Sequence, residues 1–313
     1  MSSRRDTDKP TSSHWDLDRI VAELRASRAG SPQGGRKAAH EIPSREALRG
    51  ILDGLFAVLF PTHFGLPDLT DEGIDYFVGH KLDATVRSLH KQVERELQFA
   101  SEQTDDGGVD QAARAFQITC EFATRLPHVR ALLEDDIQAG YQGDPAAKSI
   151  EEVRFCYPGI TAITHHRLAH ELYLLGVPLL ARIIAEIAHS ATGIDIHPGA
   201  EIGGSFFIDH GTGVVIGETA RIGQRVRLYQ AVTLGAKTFP AGEDGTLVKG
   251  IPRHPVVEDD VVIYAGATIL GRVTIGRGST IGGNVWLTRD VAPGSHVTQA
   301  QAHSEAFDDG GGI

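Results

Sequence analysis

The sequence predicts an α+β chain, an N-terminal all-α helical domain followed by a parallel β-helix. Three observations carry this. An aliphatic residue recurs every six positions from Gly193 to about Val291, small residues often follow it, and helical periodicity fills the chain before it. The repeats run in three registers: Ile196, Ile202, Ile208; then Ile216, Ile222, Leu228, Leu234; then Val257, Ile263, Ile269, Ile275, Ile281, Leu287. A fixed short period marks a solenoid, since strands alternate every two residues and helices every 3.6. One aliphatic side chain per short strand points inward, and three strands close a triangular coil. Pairs such as Ile202-Gly203, Ile216-Gly217 and Ile281-Gly282 place small residues where the backbone turns.

Taken in order, residues 1–43 are rich in Ser, Arg, Gly and Pro and read as a flexible segment, with a short helix over Trp15–Arg28. Residues 44–192 read as the helical domain. Ser44 caps an amphipathic helix carrying Leu48, Ile51, Leu52, Leu55 and Leu59, and Pro61 ends it. A long helix follows from Asp71 to about Gln103. Val109–Leu126 and Val129–Ala139 read as two more. Gly143-Asp144-Pro145 is a turn or helix start, so Asp144 reads first as a cap. Gly159–Leu175 and Pro178–Ser190 are two short helices that cover the open end of the coil. The first holds His165, His166 and His170; without a third ligand or an intervening Glu they read as packing residues.

The β-helix occupies 193–295, and its breaks carry the reactive residue types. Ile208 to Ile216 is eight residues, and the extra two fall in Asp209-His210-Gly211-Thr212-Gly213. Leu234 to Val257 is twenty-three, an excursion that ends in Arg253-His254-Pro255. Neither break helps a solenoid's stability, and loops on a rigid scaffold are where sites are built. Asp195 lies fifteen residues before His210, and coils stack at roughly 4.8 Å. The spacing allows the carboxylate to orient the imidazole as a general base. Asp209, Arg253 and His254 add an anion, a fixed cation and a second imidazole, the mixture a small amino acid needs.

Composition sets limits. The net charge is −11, and no dense Lys/Arg stripe lies outside the extreme N-terminus, which argues against nucleic acid as a partner. No apolar run reaches the ~20 residues of a membrane span, and the N-terminus lacks a secretory apolar core. Two cysteines, Cys120 and Cys156, suggest a reducing, cytoplasmic setting and read as buried small hydrophobes.

Gly193-Ile194-Asp195-Ile196-His197-Pro198-Gly199-Ala200 and Ile208-Asp209-His210-Gly211-Thr212-Gly213 through Thr219 resemble the serine O-acetyltransferases. So do Gly143-Asp144-Pro145-Ala146, Arg253-His254-Pro255 and Gly282-Gly283-Asn284-Val285-Trp286. The resemblance covers about residues 135–295. It implies a left-handed parallel β-helix of hexapeptide repeats and acetyl transfer from acetyl-CoA to L-serine. It implies His210 as catalytic base with Asp195 as its partner, and Asp144, Asp209, Arg253 and His254 as substrate-binding residues. Acetyl-CoA would lie in a groove between solenoids of a homotrimer, or of a dimer of trimers, near Gly235, Ala236, Ala265, Gly266 and Gly283. Direct transfer agrees with the absence of Cys from the repeats. No metal is expected, and L-cysteine would compete with serine.

The tail, 296–313, is glycine-rich, acidic and ends on Ile313. The resemblance implies that Ile313 inserts into O-acetylserine sulfhydrylase, a hydrophobic anchor and carboxylate on a mobile lead. Other readings stay open: an acetyltransferase for another small acceptor, a zinc enzyme of the γ-carbonic anhydrase kind, or a non-catalytic scaffold. The zinc reading fits poorly, because His197, His210 and His254 are 13 and 44 residues apart.

Overall fold

The computed structural model describes residues 15–30, 41–67, 69–104, 110–238, 240–242 and 245–299. Residues 1–41 and 42–313 form two separate units. In the first, α1 (Leu17–Gly30) begins at Asp16, whose carboxylate accepts the Arg19 N–H at 3.2 Å. Its apolar side chains Leu17, Ile20, Val21 and Leu24 are exposed.

The second unit begins with α2 (Arg45–Leu59), where Ser44 Oγ accepts the Ala47 N–H at 3.2 Å and the expected apolar face is buried. Next come α3 (Pro61–Phe64), α4 (Asp71–Thr104) and α5 (Gln111–Gly143). Pro127 lies inside α5, so the two helices expected over 109–139 are one. An interior proline costs about 3 kcal/mol. Here Leu126, Val129 and Leu133, on both sides of it, are buried in the same core, and packing outweighs the lost N–H bond. The short α6 (Ile150–Cys156), capped by Ser149, was not legible. Then follow α7 (Pro158–Leu174) and α8 (Pro178–Thr192). Glu96 of α4 reaches the start of α8 and accepts from Leu179 and Leu180 N–H at 2.8 and 2.7 Å. That is the favourable place for a carboxylate, although burial pushes its pKa up.

Cys120 and Cys156 are both exposed, which corrects the expectation of burial. Cys120 lies about 200° around α5 from its buried neighbours Ile118 and Phe122. Cys156 ends α6. His165 and His166 are buried in α7, and His170 Nδ1 lies 2.7 Å from the Pro198 carbonyl, as packing residues would.

The coil then rises as β1 (Asp195–Ile196), β2 (Glu201–Ile202) and β3 (Phe207–Ile208); β4 (Val215–Ile216), β5 (Arg221–Ile222) and β6 (Arg227–Leu228); β7 (Thr233–Gly235), β8 (Val256–Val257) and β9 (Val262–Ile263); β10 (Thr268–Leu270), β11 (Thr274–Ile275) and β12 (Thr280–Ile281); and last β13 (Trp286–Leu287) and β14 (His296–Val297). All pair in parallel, giving three faces: β1-β4-β7-β10-β13, β2-β5-β8-β11 and β3-β6-β9-β12-β14. This is a left-handed β-helix. The repeat aliphatics pair with one another, Ile196 with Ile216 and Ile216 with Leu234, and fill the interior. Side chains one residue earlier point outward. On the first face these are Asp195, Val215, Thr233, Thr268 and Trp286.

A buried ion pair joins helices to coil. Asp136 of α5 accepts from Arg167 of α7 at 2.6 and 2.9 Å and from the Phe206 N–H at 2.8 Å. Arg167 also donates to the Ile202 and Gly203 carbonyls. Burial pushes the Asp136 pKa up, while Arg167 opposes it. The bends of β2 and β3 are therefore fixed by side chains of two helices.

Candidate active site

The sequence-predicted residues fall at two corners of the triangle, on either side of the first face. The corner from the third face to the first carries Asp209 and His210. The corner from the first face to the second carries Arg253 and His254.

At the first corner the two extra residues force a tight bend. His210 adopts φ 57°, followed by Gly211 at 84° and Gly213 at 80°. A non-glycine residue in this region is uncommon, and such residues gather at functional sites. A Cβ at Gly211 would strike Ile194, so the bend needs glycine there. The bend leaves the His210 side chain 70% exposed, with Nε2 3.7 Å from Oδ1 of the mostly buried Asp209. Asp144 terminates α5 close by; one oxygen accepts the Ala146 N–H at 2.8 Å and the other accepts the Tyr157 hydroxyl. The Tyr157 hydrogen bond, with that N–H, holds the Asp144 carboxyl below its usual range. Tyr157 stacks on Phe207 at 6.3 Å, and the Arg227 guanidinium lies 5.5 Å from the same ring. Burial and the neighbouring Asp144 carboxylate push the Tyr157 hydroxyl well above its ordinary pKa, so it stays a donor.

Asp195 is not bonded to His210. Its backbone N–H donates to Val214, its strand partner is Val215, and no side-chain hydrogen bond joins it to His210 among the described residues.

The second corner is a finished network. Arg253 Nη2 donates to Glu218 Oε2 at 2.7 Å, and Tyr173 donates to Oε1 at 3.2 Å. Burial pushes the Glu218 carboxyl up, but Arg253 holds it below its usual range. Thr219 Oγ1 accepts the backbone N–H of Arg253 at 2.9 Å and of His254 at 3.2 Å, and lies 2.9 Å from His254 Nδ1. The Thr219 N–H donates to that same Nδ1 at 3.1 Å. Neutral His254 therefore carries its proton on Nε2. Burial, then Arg253, lowers its pKa. The imidazole lies on Gly217, where a Cβ would occupy the same space. His197, beneath this corner, accepts the Gly199 N–H and is held by burial and Arg182 to a pKa of about 4.

The backbone proposed for the thioester divides likewise. Ala265, Gly266 and Gly283 stack above the His210 corner on later coils, where Asn284 N–H donates to the Ala265 carbonyl at 2.8 Å. Gly235 and Ala236 open the long excursion at the other corner. Within it, Ala241 and Leu247 form an isolated antiparallel bridge. Ile313 lies outside the described residues. No group of three or more His, Cys, Asp or Glu side chains is arranged to hold a metal among the described residues.

Sequence reasoning gave no role to Tyr157, Glu218, Thr219 or Tyr173. Glu218-Thr219 ends the Ile208–Thr219 stretch, and its signal is its position at the corner after β4. Tyr157 had no signal beyond preceding Pro158.

Residues 254–289 match the bacterial transferase hexapeptide family model. A plasmid serine acetyltransferase of Synechococcus elongatus is 60% identical over 304 residues, covering 96% of this chain and 95% of that protein. The chain belongs to the serine acetyltransferase family. Among solved structures, serine acetyltransferase 1 of Entamoeba histolytica in complex with L-cysteine has a TM-score of 0.70 and 34% identity, covering 91% of this chain and 100% of that one. The Neisseria gonorrhoeae serine acetyltransferase in complex with serine has a TM-score of 0.53 and 27% identity, covering 82% and 97%.

Proposed function

We propose that the protein transfers acetyl from acetyl-CoA to the hydroxyl of L-serine, giving O-acetyl-L-serine and CoA, with His210 as general base. The observation that carries this is the 60% identity to a serine acetyltransferase across 96% of the chain. The exposed imidazole between carboxylates supports the role of His210. It removes the serine hydroxyl proton as the oxygen attacks the thioester carbonyl carbon. The tetrahedral intermediate then collapses, the C–S bond breaks, and the imidazolium returns the proton to the CoA sulfur. Asp195 is proposed to orient His210 in the assembled site. Asp144 and Asp209 take the substrate ammonium, Arg253 its carboxylate, and His254, through Nε2–H, a further acceptor.

One chain separates these groups onto two corners flanking the first face. That face exposes Val215 and Trp286. A homotrimer, alone or paired into a dimer of trimers, would cover it and set the Arg253 corner of one subunit beside the His210 corner of the next. Acetyl-CoA would then run in the shared groove along Ala265, Gly266 and Gly283 on one side and Gly235 and Ala236 on the other. L-Cysteine, a near isostere of serine, would compete for the site. Ile313 would anchor O-acetylserine sulfhydrylase, and its deletion should abolish that complex while leaving acetyl transfer intact. The setting is cytoplasmic, and among the described residues no helix is long and apolar enough to cross a membrane.

The deciding experiment is CoA release with a panel of acceptors, comparing the intact protein with His210→Ala. Serine-dependent release lost in the variant is the expected result. Release that ignores serine, or survives the substitution, would overturn the reading.

A further inference from the structure

Asp144 terminates a helix, and its carboxylate is fixed from two sides. Oδ1 accepts the Ala146 N–H at 2.8 Å, and Oδ2 accepts the Tyr157 hydroxyl. A side-chain carboxylate at a helix end usually samples several rotamers. This one has a single arrangement because the phenol comes from a different element, the junction between α6 and α7. The phenol is itself fixed: its ring stacks on Phe207 of β3, with an interplanar angle of 27°. Phe207 is buried and directly precedes Ile208, Asp209 and His210. The chain is therefore continuous from Tyr157 through Phe207 to the proposed base, and from Tyr157 through its hydroxyl to Asp144.

We infer that Tyr157 is a positioning residue for L-serine, holding the Asp144 carboxylate aimed at the substrate ammonium. This rests on the proposed acetyl transfer to serine. An ionised acceptor makes a charge-assisted bond to an ammonium, roughly twice as strong as a neutral one. A protonated or swung-away Asp144 forfeits it. The groups facing Asp144 are the Tyr157 hydroxyl, His210 and Arg227; Asp209 and Glu152 face Tyr157. The Arg227 cation favours the ionised carboxylate, and the Tyr157 hydrogen bond is the largest single contribution.

The test is Tyr157→Phe in the full chain, which keeps the ring and its stack on Phe207 and deletes only the hydroxyl. The KM for serine should rise about tenfold, the equivalent of one hydrogen bond to a charged group. Turnover at saturating serine and the KM for acetyl-CoA should stay within a factor of two or so of the parent. A second measurement guards against a folding defect: in an Asp144→Asn background, Tyr157→Phe should add nothing further. An unchanged serine KM would overturn the inference. So would equal rises in both substrates' KM, or additive effects in the double variant. Absence of serine acetylation in the parent protein would instead remove the proposed function, so the two failures are distinguishable.

Discussion

The two corners of the coil differ in how much of their chemistry is already committed. At the Arg253 corner the main polar groups are tied together: the guanidinium has Glu218, Thr219 binds three groups, and the His254 tautomer is fixed with its Nε2–H left to donate. At the His210 corner the imidazole extends into solvent from a left-handed backbone, with only a 3.7 Å approach to Asp209. The contrast teaches that an excursion docked back against the coil can present a preorganised recognition surface. A reactive group needs instead a tight bend that leaves its side chain free. Recognition benefits from groups that do not move, while a base must present a nitrogen free of protein partners.

The largest effect should come from the exposed corner. His210→Ala should lower kcat by on the order of 10²–10⁴-fold, with the melting temperature nearly unchanged because the side chain packs against little. A comparable loss of stability would break the contrast, since it would make His210 a structural residue.

Next comes the weld that holds the helices to the coil beneath that corner. Asp136→Ala should destabilise the protein by about 3–5 kcal/mol, the cost of leaving a buried Arg167 uncompensated. Denaturant unfolding measures this, and a change under 1 kcal/mol or so would mean that water replaces the carboxylate.

The preorganised corner predicts a substrate effect. Arg253→Ala should raise the serine KM by about 10- to 100-fold, as expected for a lost charge-assisted bond. The KM for acetyl-CoA should change far less. If the two rose together, Arg253 would be serving the fold of the excursion rather than the substrate carboxylate.

The smallest effect is in pH dependence. Burial holds His197 to a pKa of about 4, below the ordinary 6.5, and His165, His166 and His254 are lowered in the same direction. Between those values the unfolded chain binds protons that the folded one refuses. Their contribution is therefore fully present above about pH 6.5 and lost as pH falls toward 4. Melting temperature against pH should show this slope, and His197→Gln should flatten it. An unaltered slope in that variant would assign the acid sensitivity to other groups.

The sequence by itself determined the coil, its three registers and the places where it breaks. A repeat of one inward aliphatic per six residues has few other solutions, and Ile196 through Leu287 are stacked as the period required. It also marked Asp209-His210 and Arg253-His254, because reactive types in the interruptions of a regular pattern have no role in packing. It could not show that α5 runs through Pro127, since only the buried residues on both sides hold that helix together. Nor could it show that Asp195 faces Val215 while His210 approaches Asp209. Asp144 reads as a helix cap and does end α5, but only the tertiary structure brings the Tyr157 hydroxyl to its carboxylate, and the Glu218–Arg253 pair closes across thirty-five residues. The period fixes which side chains point inward. The outward ones meet partners chosen by how the coils and helices stack, and linear order does not encode that.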